Sequence, residues 1–160
     1  MAESPLRAEF VNPFIAGIHE LMGTMLSAKV KRMGLGVTDG TTNPYDVMAI
    51  IGVSGKLRGT LALSLPYDTC TKMVGRMLGS EVDMDDPMIA DAIAEMVNII
   101  GGAAKAKISP LVGSTLDLTL PTVLQGSSFE VYSPAKAVWL EMPFNSELGK
   151  FTLMLTFSTV

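Results

Sequence analysis

Residues 16–33, AGIHELMGTMLSAKVKRM, align without a gap on residues 91–108, DAIAEMVNIIGGAAKAKI. Ile18 falls on Ile93, Glu20 on Glu95 and Ala28 on Ala103. Both segments carry apolar residues at helical spacing. In the first, Ile15, Ile18, Met22, Met25 and Leu26 form the apolar stripe, opposite Glu20, Thr24, Ser27 and Lys31. In the second, Ile93, Met96, Val97, Ile100 and Ala104 form it. A weaker echo links LRGTLALS (57–64) with LGKFTLML (148–155). A long helix followed by strands, written twice, reads as a duplicated unit closed around one core.

The punctuation between these segments sets the remaining expectations. Asn12-Pro13 predicts an N-cap and first helical residue, opening a helix over 13–33. The turn-rich GVTDGTTNPYD follows, and VMAIIGVSGKLRGTLALSLP then reads as two strands around a glycine-containing hairpin. A helix is expected over Tyr67–Leu78, closed by Gly79, with Met73, Val74 and Met77 inward. After the acidic linker SEVDMDDP, Asp86-Pro87 repeats the cap pattern and opens a helix to about Ile108, with Pro110 beyond its end. STLDLTLPTVLQG, SFEVY, AKAVWLEMPF and KFTLMLTFS read as strands. Sequential strands with short turns favour an antiparallel sheet, so the expected fold is α+β. It comprises one domain over 1–160 with two pseudo-symmetric halves, and residues 1–8 read as flexible.

Composition removes several function classes. The net charge of −4 and the scattered Lys and Arg leave no basic stripe for nucleic acid. A lone Cys70 forms no internal disulfide, the first ten residues lack an apolar signal core, and VMAIIGV is too short to cross a bilayer. These features lead us to expect a soluble cytoplasmic protein. His19, the single histidine, has no Cys or His at ligand spacing. Asp83, Asp85 and Asp86 fail as a calcium loop, because Met88 and Ala94 stand where Gly and Glu belong. GVSGKL lacks phosphate-loop spacing and has Leu57 after Lys56, so it reads as a turn. The 12 Met read as core filler, and Trp139 and Cys70 as structural.

Asp91, Glu95 and Asn98 are the polar exception in the second helix. At 3.6 residues per turn they share one narrow face with Gly102. A solvated face is the ordinary explanation for such a stripe. However, Asn is a mediocre helix former, and two adjacent glycines each cost about 1 kcal/mol relative to Ala. The small neighbours Ala92, Ala94, Gly101 and Gly102 would admit a partner closely. No Ser/His or Cys/His set accompanies the stripe, and a convex helix offers no sugar cleft between Asp91 and Glu95. A carboxamide can orient an attacking water in phosphoryl transfer, while an adjacent acid holds a cation on the partner.

The segment resembles the CheC/CheX family of chemotaxis phosphatases, which dephosphorylate the response regulator CheY. The family pattern is Asp or Ser, three residues, Glu, two residues, Asn, then twenty-two residues and Pro. Asp91, Glu95, Asn98 and Pro121 stand at those positions, and VNPFI (11–15) and GRMLG (75–79) are also similar to the family. The first helix has Ala16, Glu20 and Gly23 at the matching places, so it lacks the amide and resembles the CheX branch. The resemblance implies a homodimer that acts on the acyl-phosphate of a CheY-like receiver domain. Glu95 would pair with a lysine of the receiver, Asn98 would orient the water, and Asp91 would add a partner contact. Pro121 would shape a turn. The Mg²⁺ would belong to the regulator, leaving this chain with no cofactor of its own. A non-catalytic receiver-binding adaptor of the same fold is the alternative. A third reading, an unrelated small-molecule domain, calls for a deep apolar pocket away from 91–98.

Overall fold

A computed structural model describes residues 7–38, 41–42, 45–126, 130–131 and 138–159. Of the expected features, most of the flexible start, part of the GVTDGTTNPYD turn and most of SFEVY lie outside the described residues.

Helix α1 spans Ala8–Glu20 and continues as a π-helical turn over Leu21–Met25. Short strands β1 (Val30–Arg32), β2 (Gly36–Thr38) and β3 (Thr41–Thr42) follow. Next come the hairpin β4 (Val47–Ser54) and β5 (Leu57–Leu65), then α2 (Tyr67–Leu78) and α3 (Met88–Val112). The chain continues through β6 (Asp117–Leu118), β7 (Thr122–Gln125) and β8 (Glu130–Val131). It ends in the hairpin β9 (Trp139–Ser146) and β10 (Gly149–Thr159). Strand order in the main sheet is β1-β9-β10-β5-β4-β6, with β2 also on β9 and β7 also on β4. Every pairing among the described strands is antiparallel. The α+β expectation therefore holds.

The duplication is visible in the sheet. The two echoing stretches lie in β5 and at the start of β10, which pair at the centre of the sheet, Leu61 opposite Leu155. Each is flanked by its hairpin partner, β4 or β9, as a local two-fold relation requires. In the helices the match is shorter. Past Glu20 the N–H of Leu26 reaches back five residues to the Leu21 carbonyl, one more than in an α-helix, and that of Ala28 reaches back six to the Met22 carbonyl as the chain leaves the helix. Residues 26–33 then leave the helix, and Val30–Arg32 pairs with β9 instead. Helical spacing up to Leu26 gave no sign of this change, because a three-residue strand is too short to show its own period.

The remaining boundaries of α1 and α3 are also corrected. The first helix opens at Ala8, where the Arg7 carbonyl accepts from Phe10 and Val11, and Pro13 lies inside it rather than at its start. Pro110 likewise lies inside α3, which continues to Val112 and closes on Gly113 at φ +75°. Each proline removes one N–H from the ladder, and the helix runs on through both. The cap pattern at Asp86-Pro87 works one residue late: the helix begins at Met88, whose N–H donates to Asp86 Oδ1 at 2.9 Å. The Tyr67–Leu78 helix forms as expected and ends on Gly79 at φ +74°.

The helices share one face of the sheet, with α3 packed on α1, α2 and strands β4 to β7. Odd residues of β5 and β10 (Leu61, Leu63, Leu153, Leu155) meet Ile18, Ile93, Met96 and Ile100 in the main core. Even residues face the other way, where Met48, Ala62, Trp139 and Met154 form a second buried cluster. One long-range tie secures α2 to the end of α1: the Arg76 guanidinium donates to the Leu26 carbonyl at 2.8 Å. That carbonyl lies just before Ser27, which adopts φ +49°. Arg76→Ala should lower stability by about 1–2 kcal/mol, and for a chain of this size the melting temperature should fall by roughly 2–8 °C. Thermal melting followed by circular dichroism measures this directly.

Candidate functional site

On α3 the buried and exposed faces separate as the sequence requires. Ile93, Met96, Val97, Ile100 and Ala104 are fully buried. Asp91 and Glu95 are exposed and Asn98 is half-buried on the opposite side. Met88, 48% exposed, begins the same stripe one turn earlier, although its apolar character had placed it with the core methionines. Met25 and Met33 are also exposed, whereas Met22, Met48, Met73, Met96, Met142 and Met154 are buried filler.

Among the described residues, the side chains of Asp91, Glu95 and Asn98 make no hydrogen bond or ion pair within the chain. The stripe thus presents two acids and one carboxamide with their donors and acceptors available. Half-burial of Asn98 leaves its carboxamide less rotamer freedom to lose when a partner arrives.

The small neighbours divide into two roles. A Cβ on Gly102 would meet nothing within 4 Å, so the helix is open to close approach there. Gly101 is buried and turned inward, where a Cβ would stand 3.4 Å from Leu118 Cδ1, and Ala92 is also buried. Close packing between helices comes instead from Gly17 on α1: a Cβ there would lie 2.9 Å from the Ile100 carbonyl oxygen. This contact joins residues 83 positions apart (100 − 17), and spacing along the chain gives no hint of it.

Pro121 sits in a β-bulge. β6 pairs Val53 with Leu118, and β7 pairs Ile50 with Thr122. Between these pairs Thr119, Leu120 and Pro121 oppose only Ile51 and Gly52, one residue too many. Thr119 locks the bulge by donating its N–H to the Gly52 carbonyl at 2.9 Å and accepting the Gly52 N–H on Oγ1 at 2.8 Å. A Cβ on Gly52 would stand 3.0 Å from Thr119 Cγ2, so glycine makes room for the threonine. Pro121 contributes a fixed φ and no N–H at a position that needs none. Pro121, expected to shape a turn, thus stands in a bulge between two short strands.

The degenerate first helix differs in backbone as well as side chains. Glu20 is the last residue of α1, and Gly23 lies in the π-helical turn with nothing near its missing Cβ. The other candidates have structural roles. Asp83 Oδ1 accepts the Asp85 N–H, and Gly55 turns the GVSGKL hairpin at φ +127°. His19 is exposed, and no group of three His, Cys, Asp or Glu converges among the described residues. Burial pushes the Cys70 thiol up to about 12, so it is protonated and unreactive at neutral pH. A cleft of about 550 Å³ between α2 and the α2–α3 linker is lined by Lys72, Arg76, Ser80, Glu81 and Leu148. It is shallow and mixed in polarity, unlike the deep apolar pocket that a small-molecule domain calls for. No helix among the described residues is long and apolar enough to cross a membrane.

Comparison with known proteins supplies the family. Residues 47–145, more than half of the chain, match the profile of the chemotaxis phosphatase CheX. The chain belongs to the CheX family. The CheY-P phosphatase CheX of Thermotoga maritima is 28% identical over 127 residues, covering 79% of this chain and 81% of that protein. The crystal structure of chemotaxis protein CheX from Vibrio vulnificus shares 26% identity at a TM-score of 0.82, covering 94% and 99% of the two chains. A CheX–CheY–BeF3–Mg²⁺ complex from Borrelia burgdorferi has the same fold, with 21% identity, a TM-score of 0.73 and coverage of 95% and 98%. The matched CheX span contains the whole of α3 and the Pro121 bulge.

Proposed function

We propose that this chain dephosphorylates the aspartyl phosphate of a CheY-like receiver domain, using Glu95 and Asn98 on α3. The observation that carries the reading is a CheX-family helix whose acid and carboxamide, one turn apart, face outward with no hydrogen bond or ion pair among the described residues. Support comes also from the T. maritima relative, a CheY-P phosphatase, and from the CheX–CheY complex of similar fold.

Elementary chemistry assigns the roles. Hydrolysis of an acyl phosphate needs a water held in line with the P–O bond that breaks, at near-attack distance. The Asn98 carboxamide carries both a donor and an acceptor, so it can hold a water in one orientation without consuming a proton. Glu95, an acceptor-only carboxylate, pairs with an ammonium on the receiver and fixes the register of the helix. Asp91, one turn earlier, adds a contact on the same face. Mg²⁺ enters with the receiver as part of the substrate and neutralises the phosphoryl oxygens. This chain's own residues supply binding and orientation.

The adaptor reading differs in stoichiometry. A catalyst present at a small fraction of the receiver drains the whole phosphorylated pool, whereas a sink protects or sequesters only its own molar amount. We expect phosphate release to continue through many turnovers when phosphorylated receiver is in large excess. Release that stops after one equivalent, or does not rise at all, would favour the adaptor.

A further inference from the structure

The polar stripe on α3 does not end at Gly102. Lys105 follows Asn98 by about two full turns and so lies within about 20° of it around the helix. It is half-buried, and among the described residues its side chain makes no hydrogen bond or ion pair. Nothing on its own helix neutralises it: Gly101, Gly102, Ile108 and Ser109 stand three and four residues away, where a carboxylate would reach. The helix dipole does not account for it either, because the helix runs on to Val112 and Lys105 stands outside the last turn. A lysine that serves solvation alone belongs at a fully exposed position, as Lys107 does.

One face of α3 therefore carries its groups in a fixed order: the acids Asp91 and Glu95, the carboxamide of Asn98, then a cation about 10 Å further along the axis. Between carboxamide and cation stands Gly102, whose missing Cβ has nothing within 4 Å. Helical side chains lean toward the N-terminus, and that open turn leaves the lysine room to do so. A single ion pair through Glu95 lets a docked receiver turn about that contact. A second pair of opposite sense, beyond Asn98, fixes the direction in which the helix lies across the phosphoryl group. A receiver docked the wrong way round would meet like charge at both ends. The pocket in which a receiver holds Mg²⁺ is built from carboxylates, so acids border the phosphoryl group. We propose that Lys105 is a docking residue for the phosphorylated receiver, pairing with a carboxylate across the phosphoryl group from the ammonium that meets Glu95. The inference rests on the phosphatase reading, and its test separates the two.

The experiment measures kcat and KM for the full chain with a phosphorylated CheY-like receiver, for wild type, Lys105→Glu, Lys105→Gln, Lys105→Arg and Lys107→Glu. Lys107 points about half a turn away from Asn98, so its reversal makes the same change in net charge off the face. Lys105→Glu should raise KM about tenfold and Lys105→Gln about threefold, with kcat held within about twofold. Lys105→Arg should keep the wild-type KM, and Lys107→Glu should stay within about twofold of it. The gap between wild type and Lys105→Glu should narrow as salt is raised, which a packing defect would not do. Should Lys105→Glu fail to fold, Lys105→Gln carries the same test. An unchanged KM for the Lys105 variants, or an equal rise for Lys107→Glu, would overturn the proposal. If wild type accelerates no receiver, the phosphatase reading fails, and calorimetric titration with the phosphorylated receiver still decides the docking role. About tenfold weaker binding by Lys105→Glu than by Lys107→Glu supports it, and equal or absent binding overturns it.

Discussion

Asn98→Ala should lower the rate of receiver dephosphorylation by about 10²–10³ while leaving receiver affinity and melting temperature nearly unchanged. The magnitude follows that of removing one positioned donor from a site whose catalysis is electrostatic and orientational. Stability should hold because Asn98 makes no hydrogen bond within the chain among the described residues, and alanine is the better helix former. Affinity should hold because Glu95 and the rest of the docking face remain. Steady-state phosphate release together with equilibrium binding separates the two quantities. A variant that loses binding and rate together would make Asn98 a docking residue instead.

Gly17→Val should destabilise the protein and slow it as well, although Gly17 lies on a different helix from the stripe. A Cβ at Gly17 would stand 2.9 Å from the Ile100 carbonyl oxygen and 3.2 Å from Ile100 Cα, both backbone atoms that cannot rotate away. Replacing glycine within α1 gains roughly 0.5 kcal/mol of helix propensity, but overpacking a close crossing costs about 1–3 kcal/mol, so the second effect wins. The expected net loss of about 1–2 kcal/mol lowers the melting temperature by roughly 2–8 °C. Relief of the clash moves α3 at Ile100, two residues from Asn98, and misplacement of about 1 Å can cost as much as 10²-fold in rate. Activity measured well below the melting transition should therefore fall even where the fold is intact.

These two sites mark what could be read from the chain alone. Glu95 and Asn98 were legible because a helix of 25 residues repeats its period many times, so three polar positions on one face stand out. The hairpins and α2 were legible for similar reasons, each bounded by a glycine whose backbone the turn requires. Helix ends were less so: Pro13 and Pro110 look like boundaries, yet the helices run through both. Nothing local distinguishes Leu26 as the place where α1 has already stopped. Leu120 was hidden for a different reason. Leu116, Leu118 and Leu120 alternate as a buried row would, and only pairing with β4 reveals the extra residue that turns Leu120 outward. Gly17 depends on a crossing between helices far apart in sequence, which no window along the chain contains.

The central claim is that one carboxamide on α3 shortens the life of a receiver's phosphoryl group. It is tested most directly by a single-turnover measurement. A phosphorylated receiver is mixed with excess wild-type chain, with excess Asn98→Ala, or with buffer, and its remaining phosphoryl group is followed in time. The account predicts rapid decay with wild type, and decay close to the receiver's own with Asn98→Ala despite complete binding. Equal lifetimes in all three samples, or equally rapid decay with both proteins, would contradict it.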